Sequence, residues 1–273
     1  MLSKTERPLL AAEFKTQLKR ILLSNNILIA RPTETALLAQ LLASLRPVRT
    51  NHDLIRIGGQ GDGGYLVPND LEHISACFSP GVAKLADFEL DLANRGIKCF
   101  LADHSVDVPP IHHDLFDFEK KHLGSTEDLV FTTLESWVAR KAPYETDFIL
   151  QMDIEGAEYA VILDTSSETL RKFRILVIEF HELDAIRDKF GFRLANLAFR
   201  KILKDFEVVH IHPNNYSKPI VYKDYQIPPA LEFTFLRKDR IATRQRTFDF
   251  PHALDRTNCA HKEDFSLPKC WFE

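Results

Sequence analysis

From residue 74 onward the chain alternates short apolar runs with amphipathic ones, and that alternation leaves few folds open. Residues 74–78, 97–101, 147–152 and 175–180 are apolar and of strand length, and between them residues 84–94 place Leu85, Phe88 and Leu92 on one helical face while a further helix starts at Glu158. Strand and helix in repeated alternation build a mostly parallel sheet with helices on both faces. Runs without a polar alternate belong at the centre of such a sheet. Gly96 supplies a helix stop. A helix over 192–204 puts Ala195, Ala198, Phe199 and Ile202 on one face, and residues 206–211 and 231–236 then read as an antiparallel terminal pair of strands. The fold class is α/β.

Ahead of this core, Leu10, Phe14, Leu18, Ile21 and Leu22 form one helical stripe and Leu38, Leu41, Leu42 and Leu45 a second, with Pro32 between them. The division this predicts is a helical cap over 1–50, a sheet domain over 51–240 and an irregular strap over 241–273 packed by aromatics such as Trp271 and Phe272. The first fifty residues carry +5 and the other 223 carry −9, within a chain of net charge −4. A basic start is compatible with peripheral membrane contact, although a cap on an acidic body accounts for it as well. No apolar run approaches the roughly 18 residues that a membrane span needs. The weak net charge offers no broad footprint for a phosphate backbone, so nucleic acid is not expected as the partner.

Cys77, Cys99, Cys259 and Cys270 include no C-x-x-C pair and no zinc-finger spacing. Cys77 and Cys99 fall in apolar strands, where a free thiol packs as a small hydrophobe, and this fits a reducing, cytoplasmic setting.

Ligands of an open parallel sheet bind beyond the carboxyl ends of its strands. After the first strand comes Ser79-Pro80-Gly81, where one glycine lets the turn approach a ligand, and after the second comes Ala102-Asp103-His104. Asp103 lies about twenty residues past the glycine turn, the distance at which a carboxylate meets the hydroxyls of a cofactor ribose. Ser79, Gly81, Asp103, His104 and Asp153 are the candidate cofactor contacts. A nicotinamide dinucleotide would want three glycines in this turn, and only Gly81 is present. The patch from Gly58 to Gly64 runs into Tyr65-Leu66-Val67-Pro68, which extends rather than opening a helix. It reads as a hairpin with positive φ angles, or as a backbone lip touching cofactor or substrate.

The strand over 147–152 ends on Asp153, with Glu155 and Glu158 close behind. Glu158 suits a helix start, whereas Asp153 closes an apolar strand and needs a cationic or hydrogen-bonding partner. Glu179 and His181 end the next strand, and His210 and His212 a later one. With these strands side by side, Asp153, Glu179, His181 and His210 surround one point, as a divalent-metal site or a general-base cluster.

The run Asp153-Ile-Glu-Gly-Ala-Glu158 after an apolar strand, the Gly81 turn and Thr133-Leu-Glu-Ser-Trp137 resemble the FkbM-type family of S-adenosylmethionine-dependent methyltransferases over roughly residues 57 to 238. The chain is similar in particular to a bacterial branch with Asp62-Gly-Gly-Tyr-Leu-Val-Pro68, Phe78-Ser-Pro-Gly-Val82, Ile178-Glu-Phe-His181 and His212-Pro-Asn-Asn215. The resemblance implies a Rossmann-like class I methyltransferase sheet of seven strands, a cofactor turn at Gly81 and Asp103 as the ribose acid. Related catechol-type enzymes carry metal-binding acids after the fourth and fifth strands, which by position implies Asp153, Glu179 and His181, with Mg²⁺ as the candidate ion. The implied activity is O-methylation of a sugar, glycan or secondary-metabolite hydroxyl, with Asp153, His181 and His210 as candidate catalytic residues. A non-catalytic module of the same fold and a metal-dependent hydrolase using His210-x-His212 are the alternatives.

Overall fold

A computed structural model describes residues 15–17, 19–22, 24, 25 and 30–273. Leu10, Phe14 and Leu18 of the first predicted stripe lie outside the described residues, and Ile21 is 57% exposed. The second stripe forms α1 (Thr35–Ser44), which buries Leu38, Leu41 and Leu42.

A hairpin of β1 (Leu54–Gly58) and β2 (Gly64–Pro68) follows, then β3 (Ala76–Pro80), α2 (Asp87–Asn94), β4 (Lys98–Ala102) and β5 (Phe116–Glu119). Next come α3 (Leu134–Lys141), β6 (Phe148–Met152), α4 (Glu158–Asp164), α5 (Ser167–Arg171) and β7 (Phe173–Phe180). The 17-residue α6 (Lys189–Asp205), β8 (Phe206–Pro213) and β9 (Leu231–Arg237) complete the sheet and its helices. Seven strands lie in the order β5-β4-β3-β6-β7-β9-β8, with β9 antiparallel to both of its neighbours and the other pairs parallel. This is the seven-stranded, mostly parallel sheet that the resemblance implies, and the predicted terminal pair is β8 and β9.

Alternate residues of each strand feed two cores, because side chains of a strand point to opposite faces in turn. On one face Phe78, Phe100, Leu150, Ile178 and Phe233 pack with Trp137 of α3 and with Ala195, Ala198, Phe199 and Ile202 of α6. On the other, Cys77, Cys99, Ile149 and Val177 are covered by Ile57, Tyr65 and Val67 of the hairpin and by Phe88 and Leu92 of α2. Asp188 caps α6, its Oδ1 accepting from the amides of Phe190 and Gly191. The glycine patch forms a hairpin turn, with Gly58 at φ +88° and Gly63 at +73°. A Cβ on Gly58 would lie 2.6 Å from the Gly63 carbonyl. Thr234 Oγ1 donates to the Leu66 carbonyl at 2.7 Å and pins the hairpin to the sheet.

Three details differ from the sequence reading. Helix α2 starts at Asp87 rather than residue 84, because positive φ at Gly81 and Ala83 makes 81–86 a turn; Leu85 is then 45% exposed instead of inward. Residues 129–138, which the sequence marks only as one further run of unassigned type, divide into a short strand, Phe131–Thr133, and the start of α3. Strand β5 is new. Its Phe-Asp-Phe-Glu pattern reads as irregular, but on an edge strand the acids face Lys141, which reaches Asp117 at 2.8 Å and Glu119 at 2.9 Å. Residues 241–273 hold only short elements, and their Trp271 is fully buried, its Nε1 donating to the Gln226 carbonyl at 3.0 Å.

Phe78 sits at the centre of the larger core with Phe100, Trp137, Phe148 and Phe173 at ring distances of 4.9, 5.1, 5.2 and 5.8 Å. Its truncation to Ala leaves a cavity that these rigid rings cannot close. The expected loss is about 3–5 kcal/mol of unfolding free energy, measured by urea denaturation.

Candidate functional site

The carboxyl ends of β3, β4 and β6 are held against one another by backbone alone. Gly81 stands at φ +89° with its amide donating to the Ala102 carbonyl at 2.9 Å, and a Cβ on it would fall 1.8 Å from the Asp153 carbonyl oxygen. Only glycine fits there. Asp103, 4% exposed, receives the Ala83 amide on Oδ2 at 2.8 Å and the Ser105 amide on Oδ1 at 2.7 Å, so it couples the two turns and keeps further lone pairs free. These turns frame a cleft of about 750 Å³ lined by Asp62, Asp87, Glu89, Asp103, Asp153 and Glu155 against a single Lys84, with Leu123 and Phe131 as its apolar end.

Gly81, Asp103 and Asp153 thus open onto one cleft. Ser79 does not line it; it forms the layer beneath. Its hydroxyl lies between the Glu89 carboxyl and Gln151 Oε1, 2.6 Å from the latter, and Gln151 Nε2 donates to the Tyr65 hydroxyl at 3.2 Å. One hydroxyl proton cannot serve two acceptors, so a protonated Glu89 completes the chain. Burial raises the Glu89 carboxyl to about 7, in agreement. His104 is a correction as well: it does not line the cleft but packs on His122, which does, at a ring distance of 5.2 Å.

At the other side of Asp153 the chain turns through Glu155 and Gly156, both left-handed at φ +56° and +106°. The turn aims the amides of Ile154 and Gly156 at Glu158 Oε1, each at 3.1 Å. The same oxygen meets His181 Nδ1 at 3.1 Å, so the helix-start acid also fixes an imidazole. His181 Nε2 then faces Glu179 Oε1 at 3.5 Å, Glu155 Oε2 at 3.6 Å and Asp153 Oδ1 at 3.7 Å. Asp153 Oδ1 and Glu179 Oε2 are buried without a hydrogen-bond partner. Burial raises the Asp153 carboxyl to about 7 and pushes Glu179 well above the usual carboxylate range, with neighbouring carboxylates adding to both. Burial opposes charge on His181 too, but the Glu158, Asp153 and Glu155 carboxylates outweigh it and raise the imidazole.

Of the four residues expected around one point, Asp153, Glu179 and His181 converge, their ligand atoms within 4.8 Å of one another. His210 does not join them. Strand β9 lies between β7 and β8, so its Glu232, paired in register with both Glu179 and His212, separates the two ends. His210 Nε2 instead meets Asp255 Oδ1 at 2.8 Å. Sequence reasoning also missed Glu89, Gln151, Tyr65, Glu232 and Asp255. Glu89 carries a signal in retrospect, being an acid next to Phe88 and one turn from Leu92 on the inner face of α2. The partners of Tyr65 and Asp255 come from distant segments with no local sign.

The Glu89 carboxyl binds its proton more tightly folded than at its ordinary 4.5. Between about 4.5 and 7 the native state therefore holds more protons than the unfolded chain, and stability falls as pH rises through that window. Glu89→Gln keeps the hydrogen-bond chain and removes this contribution. Melting temperatures measured from pH 5 to 8 are expected to decline less in the variant than in the wild type; parallel curves would show that Glu89 is ionised throughout.

No curated protein matches the chain. Among solved structures it is similar to the 23S rRNA methyltransferase ErmE, at 11% identity over 78% of this chain and 72% of that one with a TM-score of 0.34. It is similar also to a protein from the conversion of a disulfide bond into a thioacetal group during echinomycin biosynthesis, at 14% identity over 60% and 76% with a TM-score of 0.30. Residues 108–217, which run from just before β5 to just past β8 and include Asp153, Glu179 and His181, match the methyltransferase FkbM domain.

Proposed function

We propose that the chain is an S-adenosylmethionine-dependent O-methyltransferase acting on a hydroxyl of a sugar, glycan or secondary metabolite. One observation carries the reading: an acid-lined cleft runs from Gly81 and Asp103 to Asp153, where His181 is held by Glu158 among carboxylates. S-adenosylmethionine is cationic at its sulfonium and its ammonium, and a wall of Asp62, Asp87, Asp103, Asp153 and Glu155 favours both charges. Asp103 accepts the ribose hydroxyls and the Gly81 turn lies against the cofactor. Leu123 and Phe131 supply the apolar end for the adenine.

Transfer forms a bond from the acceptor oxygen to the methyl carbon and breaks the carbon–sulfur bond, whose electron pair stays on sulfur. Holding oxygen, carbon and sulfur in line supplies most of the acceleration. The hydroxyl proton goes to His181 Nε2, while Glu158 holds Nδ1–H and keeps the ring oriented. A second reading rests on the orphaned oxygens. Asp153, Glu179 and His181 form a mixed oxygen and nitrogen donor set, with Glu158 behind the imidazole as such sites require, and they would hold a divalent cation such as Mg²⁺. When bound, the ion would lower the pKa of the acceptor hydroxyl in place of the imidazole.

Calorimetry with S-adenosylhomocysteine, with and without Mg²⁺, tests the cofactor assignment. Binding is expected in the wild type and is expected to weaken on the order of tenfold to a hundredfold in Asp103→Ala, which loses charge-assisted hydrogen bonds. Unchanged affinity in that variant would displace the ribose from Asp103. His181→Ala is expected to keep cofactor binding and to lose about 10²–10⁴-fold in methyl transfer to a sugar or phenol acceptor. Equal turnover in the variant would exclude the imidazole from the reaction.

A further inference from the structure

We infer that His210, His212 and Asp255 form a second metal site, separate from the cleft, that takes a divalent transition ion of the Zn²⁺ class and clips residues 252–265 onto the sheet. The three ligand atoms lie within 4.8 Å of one another. His210 and His212 stand on the same face of β8, beside the irregularity in pairing between Val208 and His210. Asp255 Oδ1 lies 2.8 Å from His210 Nε2 and 3.6 Å from His212 Nδ1. Its other oxygen accepts from the His252 amide at 2.8 Å, so the carboxylate is fixed in place. His210 is fixed too, stacked on Phe250 at a ring distance of 5.7 Å.

Burial makes the site costly without an ion. The side chains of His210, Asp255 and His212 are only 4%, 8% and 12% exposed, and both ring nitrogens of His212 are buried without a hydrogen-bond partner. Leaving buried polar groups unpaired costs free energy that a coordinate bond would recover. A cavity of about 210 Å³ lined by His212, Asp255, His252 and Asp264 adjoins the cluster, with space for an ion and a water. Two imidazoles and one carboxylate, with a position left for water, suit Zn²⁺ better than the oxygen-seeking Mg²⁺.

The clipped segment reaches the cleft. Asn258 Nδ2 donates to Glu232 Oε1 at 2.5 Å and to Asp62 Oδ1 at 3.4 Å, and Arg256 Nε donates to Gln60 Oε1 at 3.1 Å. An ion at Asp255 therefore sets the position of the strap against the glycine hairpin.

The test is Zn²⁺ uptake by the full chain, stripped with a chelator, reloaded, dialysed and counted by mass spectrometry. His212→Gln and Asp255→Asn, checked for folding by circular dichroism, are each expected to take up about one equivalent less than the wild type. Equal uptake in all three proteins, or none in the wild type, overturns the site. X-ray absorption on Zn²⁺-loaded His181→Ala, in which the cleft cluster has lost its imidazole, needs neither of those variants. Two imidazoles per ion are expected, and one or none overturns the proposal.

Discussion

The backbone of Gly81 pressed on the carbonyl of Asp153 is the contact on which the site depends. It joins the end of β3 to the end of β6, the two strands at the middle of the sheet, and it leaves no volume for a side chain. The Gly81 amide bonded to Ala102 extends the junction to β4, and Asp103 carries it onward through the amides of Ala83 and Ser105. Loop conformation at this edge is thereby a property of the sheet.

Across the same face the strands end in a row of buried polar groups. Ser79 lies under the cleft and Gln151 lines it, Asp153 and Glu179 meet at His181, and Glu232 and His212 continue the row toward Asp255. Burial without full pairing raises carboxyl pKa values, and groups poised in this way mark sites of chemistry more often than sites of packing. The row has two ends of different character. One faces a large acid-lined cleft, and the other faces the strap and a smaller cavity.

Much of the sheet was legible in the sequence because central strands announce themselves. The runs that became β3, β4, β6 and β7 are buried along nearly their whole length, so their apolar pattern is continuous. Strand β5 was not legible, since an edge strand half open to water alternates aromatic with acid and is indistinguishable from a loop. Gly81, Asp103, Asp153 and His181 could be located because strand ends are fixed by where the apolar runs stop. His210 was misplaced because sequence order does not reveal that β9, the last strand of the seven-stranded sheet in chain order, inserts between β7 and β8. The Ser79–Gln151–Tyr65 chain depends on a hairpin folding over the sheet, which no local pattern encodes.

Glu179 and Glu232 stand directly opposite each other across two hydrogen-bonded strands, an arrangement that ordinary sheets avoid. Whatever neutralises one carboxylate relieves its neighbour as well. Burial and the facing Glu232 both favour the neutral form of Glu179, and Asn214 and Asn258 donate to the two carboxyls, so the pair shares one edge without opposed charges and a cation reaching either group competes with a proton for the place.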